Sequence, residues 1–322
     1  MKTIITILLV VTVLGGLSSQ ATTDSAAEGE RPNLGQMPPR EAPSVPSDTV
    51  KVTYVGNAGM MVERAGKKIL IDAVFGHGIA ADGRCVAPSG DVLEKMEKAL
   101  PPFDNVDLVA ATHSHHDHFH PGSVVEHLRH NPRAVFVSTG QSLEKIKAEC
   151  PDVADIQARL RCRTPGKGSF WEETINGIKI KAYGLTHSPP QTDIDNLGLL
   201  FEVQGFKVFH AGDTSWANRD EYARLGLQDE AIDLGLVHKG FFVWHKGRGQ
   251  DVVEEFIRPK QIVLVHVYRD EMESLLKALP VYRQRFPRVD AIVQPMESRV
   301  LPGIGPSASS STKDPMEALR SE

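Results

Sequence analysis

The chain has 322 residues, 41% of them hydrophobic and 24% charged, with a formal net charge of -5. These are ordinary values for a globular protein, and the length allows one large domain or two small ones with ample core. The mild acidity argues against nucleic acid as the main partner, for which a basic patch is expected.

In chain order, Met1-Lys2 supplies a positive charge, Ile4 to Leu14 is an almost unbroken apolar run, and the small residues "GGLSSQATT" follow. This is the pattern of a secretory signal peptide over residues 1–21, with Ser19-x-Ala21 as the cleavage site. The alternative is a membrane anchor, but the run is short against the roughly 20 apolar residues that a spanning helix needs. No cysteine at the cleavage region indicates a lipid anchor, and no other segment is long and apolar enough to span a bilayer. The expectation is a secreted or periplasmic protein with no stable membrane insertion after cleavage. Residues 22–48, ending in "MPPREAPSVPSD", read as a disordered linker, and residues 302–322 read as a disordered tail.

Residues 49–301 hold short apolar, β-branched runs alternating with amphipathic ones. "VKVTYV", "GMMVE" and "KKILIDA" read as strands. Asp91 to Leu100 has helical spacing, and "VDLVAAT" is a buried strand leading into His113. "GSVVEHLRHN" and "SLEKIKAEC" read as helices with the strand "RAVFVST" between them. The second half repeats the grammar: strands "GIKIKAYGL", "LGLLFEVQ", "FKVFHAG", "AIDLGLVH" and "QIVLVHV", helices at Val252–Ile257 and Glu271–Phe286, and "DAIVQP" to close. This predicts sheets covered by helices in one domain. Cys150 and Cys162 either pair, leaving Cys85 over, or all three thiols stay free.

The stretch Thr112 to Pro121, "THSHHDHFHP", holds five histidines and one aspartate. A packed core has no use for so many imidazoles, because each ring nitrogen needs a hydrogen-bond partner or a metal. His113 and His115 are two apart and face the same way in an extended segment. Asp117 and His118 sit on the following turn and face a second point. One loop thus presents two ligands to each of two cations, and histidine with carboxylate suits zinc, or manganese or iron. Further ligands must come from elsewhere. His187, Asp213 and His266 are the candidates, each at the end of an apolar strand.

"THSHHDH", "LTHS", "HAGDTS" and "VLVHV", with "VTYVGNAGMMVERAGKKILIDAVF" upstream, resemble the metallo-β-lactamase superfamily over almost all of Val50 to Pro295. The upstream stretch is most similar to the branch that includes ascorbate-6-phosphate lactonase and N-acyl-phosphatidylethanolamine phospholipase D. The resemblance implies an αββα sandwich, two mixed sheets flanked by helices, with a dinuclear site at one edge. It implies that His113, His115 and His187 hold one metal, that Asp117, His118 and His266 hold the other, and that Asp213 bridges both. It assigns Asp72 to orienting the ligand loop.

The implied chemistry is hydrolysis of a small-molecule ester, lactone or phosphodiester. Two divalent cations lower the pKa of water so that a shared hydroxide exists at neutral pH, and Asp117 orients it. Lactam-hydrolysing members typically lack an aspartate where Asp213 stands, which places β-lactamase or other amide hydrolysis second. Di-iron redox members usually carry H-x-E in the loop, where this chain has His115. A non-catalytic metal-binding protein on the same fold is the third reading. Leaving-group acids are sought among His238, His245 and Tyr268. His116 points away from the ligands. His120 shapes a pocket rim or is simply solvent-exposed, and His210 either supports the site or makes a core hydrogen bond. His77, His127 and His130 read as surface. Residues 238–250, "HKGFFVWHKGRGQ", are a substrate-recognition loop or aromatics packed under it.

Overall fold

The computed structural model describes residues 49–244 and 247–302, so the signal-peptide and linker calls, His245, and all of the tail after residue 302 lie outside the described residues. The first sheet is built from β1 (Thr49–Gly56), β2 (Gly59–Arg64), β3 (Lys67–Ile71), β4 (Leu108–Ala110), β5 (Val135–Ser138) and β6 (Leu160–Cys162). The second is built from β7 (Phe170–Ile175), β8 (Ile178–Thr186), β9 (Asp195–Val203), β10 (Phe206–His210), β11 (Leu234–His238), β12 (Gln261–Val265) and β13 (Val289–Ala291). A last strand, β14 (Ser298–Pro302), returns to the first sheet and pairs antiparallel with β1.

The two sheets share one plan. The first runs β14-β1-β2-β3-β4-β5-β6 and the second β13-β12-β11-β10-β9-β8-β7. In the first, β1, β2 and β3 are antiparallel and β3 to β6 are parallel. In the second, β7 to β10 are antiparallel and β10 to β13 are parallel. Parallel neighbours need crossovers, and the intervening helices supply cover.

Most of these strands are apolar on both faces because both faces are buried. In β2, β3 and β4, residues Met60, Val62, Ile69, Ile71, Leu108 and Ala110 point between the sheets. Their neighbours Met61, Leu70 and Val109 point outward, where they meet α1 (Gly90–Glu97), α2 (Pro121–His130) and α3 (Gly140–Glu149). In the second sheet Leu234, Leu236, Val263 and Val265 face inward. Val237, Ile262 and Leu264 face α4 (Arg219–Leu225), α5 (Gly240–Val243), α6 (Arg248–Val252) and α7 (Met272–Arg285). The period-two alternation produces three apolar layers, and so a four-layer αββα sandwich.

Several elements differ from the sequence reading. The strands β6, β7 and β14 were not foreseen. The Val252–Ile257 helix is the end of α6 followed by a π-helical turn over Val253–Ile257. β14 carries ordered chain to Pro302, one residue past the expected boundary. Cys85, Cys150 and Cys162 are all free thiols. No helix among the described residues is long and apolar enough to cross a membrane.

Candidate metal centre

The histidine-rich loop leaves the end of β4 and is suspended from one buried carboxylate. Asp72, directly after β3, accepts from the Thr112 N–H at 2.7 Å, from the Thr112 hydroxyl at 2.8 Å and from His118 Nδ1 at 2.9 Å. With its proton given to Asp72, the Thr112 hydroxyl oxygen accepts from His113 Nδ1 at 3.0 Å. His187, just past β8, donates from Nδ1 to its neighbour's carbonyl, Ser188 O, at 2.9 Å. In all three rings Nδ1 makes the hydrogen bond, so Nε2 is the nitrogen turned to the site, the one that a metal can take once no proton stands on it. The tautomers are assigned from these hydrogen bonds.

These nitrogens converge. Ligand atoms of His113, His115 and His187 lie within 4.8 Å of one another, and so do those of Asp117, His118 and His266. His113 Nε2 and His115 Nδ1 are 2.9 Å apart. Asp213, after β10, stands between the two sets. Its oxygens are 3.5 Å from His118 Nε2, 3.1 Å from His266 Nε2 and 4.0 Å from His187 Nε2. All seven residues singled out in the sequence therefore meet at one edge of the sandwich.

The arrangement fits divalent cations. His118 Nε2, His187 Nε2, both ring nitrogens of His266 and Asp213 Oδ1 are buried without a hydrogen-bond partner. Buried polar atoms are rarely left so, and here they aim at common points. Imidazole nitrogen with carboxylate oxygen is the ligand set of zinc, manganese or iron sites.

The electrostatics of the protein alone divide the cluster. Burial, with His118 beside it, holds His113 far below the usual imidazole range. Burial and His187 lower His115 to about 4. Burial also pushes His118 down, but Asp213, Asp72 and Asp117 outweigh it and hold that ring well above its usual range. His266 is likewise carried past its burial, by Asp213 and Asp117, to about 9. Burial would raise Asp117 and Asp213, yet His118 and His266 keep both carboxyls well below the carboxylate range. Without metal, protons on two imidazoles offset the acid charge.

The sequence profile of the β-lactamase superfamily domain matches residues 67–281, about two-thirds of the chain. The chain belongs to the metallo-β-lactamase superfamily. A metal-dependent hydrolase of Saccharolobus solfataricus, from the group designated UPF0173, is 35% identical over 114 residues, which are 34% of this chain and 44% of that protein. One from Staphylococcus haemolyticus is 26% identical over 227 residues, 67% of this chain and 85% of its own length. The solved structure of a metallo hydrolase from Ignicoccus hospitalis superposes with a TM-score of 0.51 at 20% identity, covering 79% of this chain and 98% of the other. That likeness concerns the fold.

On this metallo-β-lactamase fold the remaining histidines sort by environment. His116 is exposed and turned towards Asp82, 3.7 Å away. His120 is exposed and caps α2, its Nδ1 accepting from Ser123 N–H at 3.2 Å. His210 is buried and both supports the site and is fixed in the core: Nδ1 accepts from Gly212 N–H at 2.8 Å, and Nε2 faces Asp72 at 3.7 Å. His77 and His130 lie at the surface, but His127 does not. It is fully buried and donates from Nδ1 to Met96 O at 2.6 Å, because its face of α2 packs on α1. Residues 238–244 divide. Phe241 and Phe242 are core, packed on Tyr222 and on Tyr282 and Phe286, whereas Trp244 is exposed. Tyr268 stands beside His266, between Arg84 and Lys239, and burial keeps its hydroxyl protonated.

Two asparagines escaped the sequence reading. Asn57 Nδ2 donates to Asp117 Oδ2 at 3.0 Å and to the Asp117 carbonyl at 3.1 Å, while the Asn57 carbonyl accepts from His266 N–H at 3.1 Å. Asn196 accepts from Asp213 N–H at 3.1 Å and donates to Ala211 O at 3.0 Å. Asn57, Asp72 and His266 have φ of 44°, 48° and 61°. Left-handed backbone at non-glycine residues is uncommon and clusters at functional sites. The one available signal was the turn "GNAG" at residues 56–59.

Proposed function

We propose that this protein is an exported hydrolase that holds two divalent cations, zinc first, and cleaves an ester, lactone or phosphodiester bond in a small molecule. The coarse statement, a metal-dependent hydrolase of the superfamily, draws on family membership and on relatives bearing that description. The finer one is carried by a single observation: unpartnered lone pairs from four strand ends meet in two sets with Asp213 between them. The lactone and phosphodiester classes follow the resemblance of the upstream stretch "VTYVGNAGMMVERAGKKILIDAVF" to the lactonase and phospholipase branch. Export rests on the pattern of residues 1–21, and the small-molecule partner on the absence of a basic balance.

The ligand sets would be His113, His115 and His187 on one side and Asp117, His118 and His266 on the other. Divalent cations held there would supply Lewis acidity and a water that ionises near neutral pH. The chain's own residues do the rest. Asn57 fixes the Asp117 carboxylate, which can accept a hydrogen bond from the attacking water and orient it. Asp213 ties the two halves of the site together, and Asp72 holds His118 and, through Thr112, His113 in the required tautomer.

The test is elemental analysis of the purified mature protein, with a panel of chromogenic lactone, ester, thioester, phosphodiester and lactam substrates, with and without chelator. Two metals per chain and chelator-sensitive turnover on one of the first four classes are expected. Asp213→Ala should lower the metal count and Asp117→Ala the turnover. An Asp213→Ala protein that still holds two metals would remove the bridge.

A further inference from the structure

Beside the metal ligands lies a cleft of about 340 Å³ whose walls include Ser188, Pro189, Trp216, Phe241, Trp244 and His238. It touches the centre at three places in the chain: Ser188 follows His187, Thr214 follows Asp213, and His238 ends β11. His238 is the one titratable side chain among its lining residues. The cleft is therefore mostly apolar and aromatic, with the hydroxyl residues Ser188, Thr214 and Ser215 on the side of the centre.

His238 is an eighth candidate for the donor cluster. One of its ring nitrogens lies within 4.8 Å of a ligand atom of Asp213 and of His266. Its hydrogen bonding, however, is the reverse of that of the ligands. His113, His118 and His187 each donate from Nδ1, which turns Nε2 to the metal positions. His238 Nδ1 instead accepts the Gly240 N–H at 2.9 Å. A neutral imidazole that accepts at Nδ1 carries its proton on Nε2, where it is a donor and not a ligand. A β-carbon at Gly240 would lie 2.5 Å from the Trp244 ring and 2.8 Å from His238 Nδ1, so the bare glycine is what allows backbone, imidazole and indole to approach.

We propose that the Trp216–Trp244 cleft receives an uncharged apolar arm of the substrate, and that His238 is a catalytic N–H donor to its carbonyl or leaving-group oxygen and not a metal ligand. This rests on the hydrolase reading above. A neutral imidazole fixed by a backbone N–H supplies a hydrogen bond where negative charge develops without having to reorganise. Among the described residues no lysine, arginine, aspartate or glutamate lines the cleft, which favours aryl or alkyl ester and lactone substrates over those whose arm carries a charge.

Three measurements test it. In long-range proton–nitrogen spectra, the His238 ring, identified by its loss in His238→Gln, should show Nε2 protonated and Nδ1 bare, with and without zinc. His238→Ala should keep the wild-type zinc content by elemental analysis while kcat falls by about 10²-fold, the usual effect of removing one such donor. His238→Gln, which retains an amide donor, should recover much of that loss. On phenyl-substituted against acetyl esters, Trp244→Ala should raise KM for the phenyl ester several-fold more than for the acetyl ester. A deprotonated Nε2 with zinc bound, or zinc lost in both His238 variants, would make His238 a ligand and overturn the proposal. So would an unchanged kcat in His238→Ala, or equal KM changes for the two esters. Failure of the hydrolase reading looks different: the wild type would bind no metal and turn over nothing, while the tautomer measurement would still stand.

Discussion

Asp72 Oδ2 accepts the Nδ1 proton of His118 at 2.9 Å, with both side chains fully buried. The same carboxylate takes both donors of Thr112, so it sets where the ligand loop begins and which nitrogen of His118 faces the site. Asp72→Asn removes the charge and one acceptor while keeping the volume. Metal affinity should fall by about 10- to 100-fold, the usual effect of removing a partner behind a ligand. Competition against a chromogenic chelator measures it, and circular dichroism should show the fold intact.

Metal binding should release protons. His118 is held above the imidazole range and His266 at about 9, so both rings are charged at pH 7 in the metal-free protein. A cation displaces those protons. Titration calorimetry at pH 7 in two buffers of different ionisation enthalpy should report about two protons released. The metal-free protein should also lose stability with rising pH. A histidine raised in the folded state contributes fully below its unfolded pKa of about 6.5, and that contribution is lost as pH climbs through about 9. Melting temperature of the metal-free protein should fall across that window, and loading with zinc should remove the fall.

His127 sets the opposite slope. Burial lowers it to about 4, so the folded state keeps it neutral where the unfolded chain would protonate it. Its contribution is present above about pH 6.5 and is lost as pH falls towards 4, at up to about 1.4 kcal/mol per unit. Urea unfolding across pH 4 to 7 should show a shallower decline for His127→Gln than for the wild type.

Gly212 has φ of 61°, and a β-carbon there would stand 2.4 Å from Asn196 Oδ1 and 2.8 Å from Thr112 Cβ. Both neighbours position site residues, so Gly212→Ala should lower stability by about 1–3 kcal/mol from backbone strain alone, before the steric clash is added. It should also reduce metal content together with stability. Denaturant titration paired with elemental analysis tests the coupling.

The site was far more legible than the fold's margins, for a physical reason. His113, His115, Asp117 and His118 are packed into one loop, and His187, Asp213 and His266 each close an apolar run, so type and position both speak. The edge strands speak poorly because they bury little. Along Phe170–Ile175 and Ser298–Pro302 most side chains are exposed or half-buried, and the apolar alternation that marks a strand is missing. Asn57 and Asn196 act through backbone geometry that a single sequence does not display. His127 was misread as surface although it lies three residues after the buried Val124, on the same helical face.

The doubled plan of the sheets has a consequence for how such a centre could be dismantled or built. Four of the seven convergent side chains belong to the first sheet's connections and three to the second's. Each half on its own would be an incomplete chelator, with donors but no opposing partners, and the aromatic cleft belongs to the second half alone. Reactivity is thus a property of the seam, and a bound cation would act as a rivet between the halves as well as a reagent.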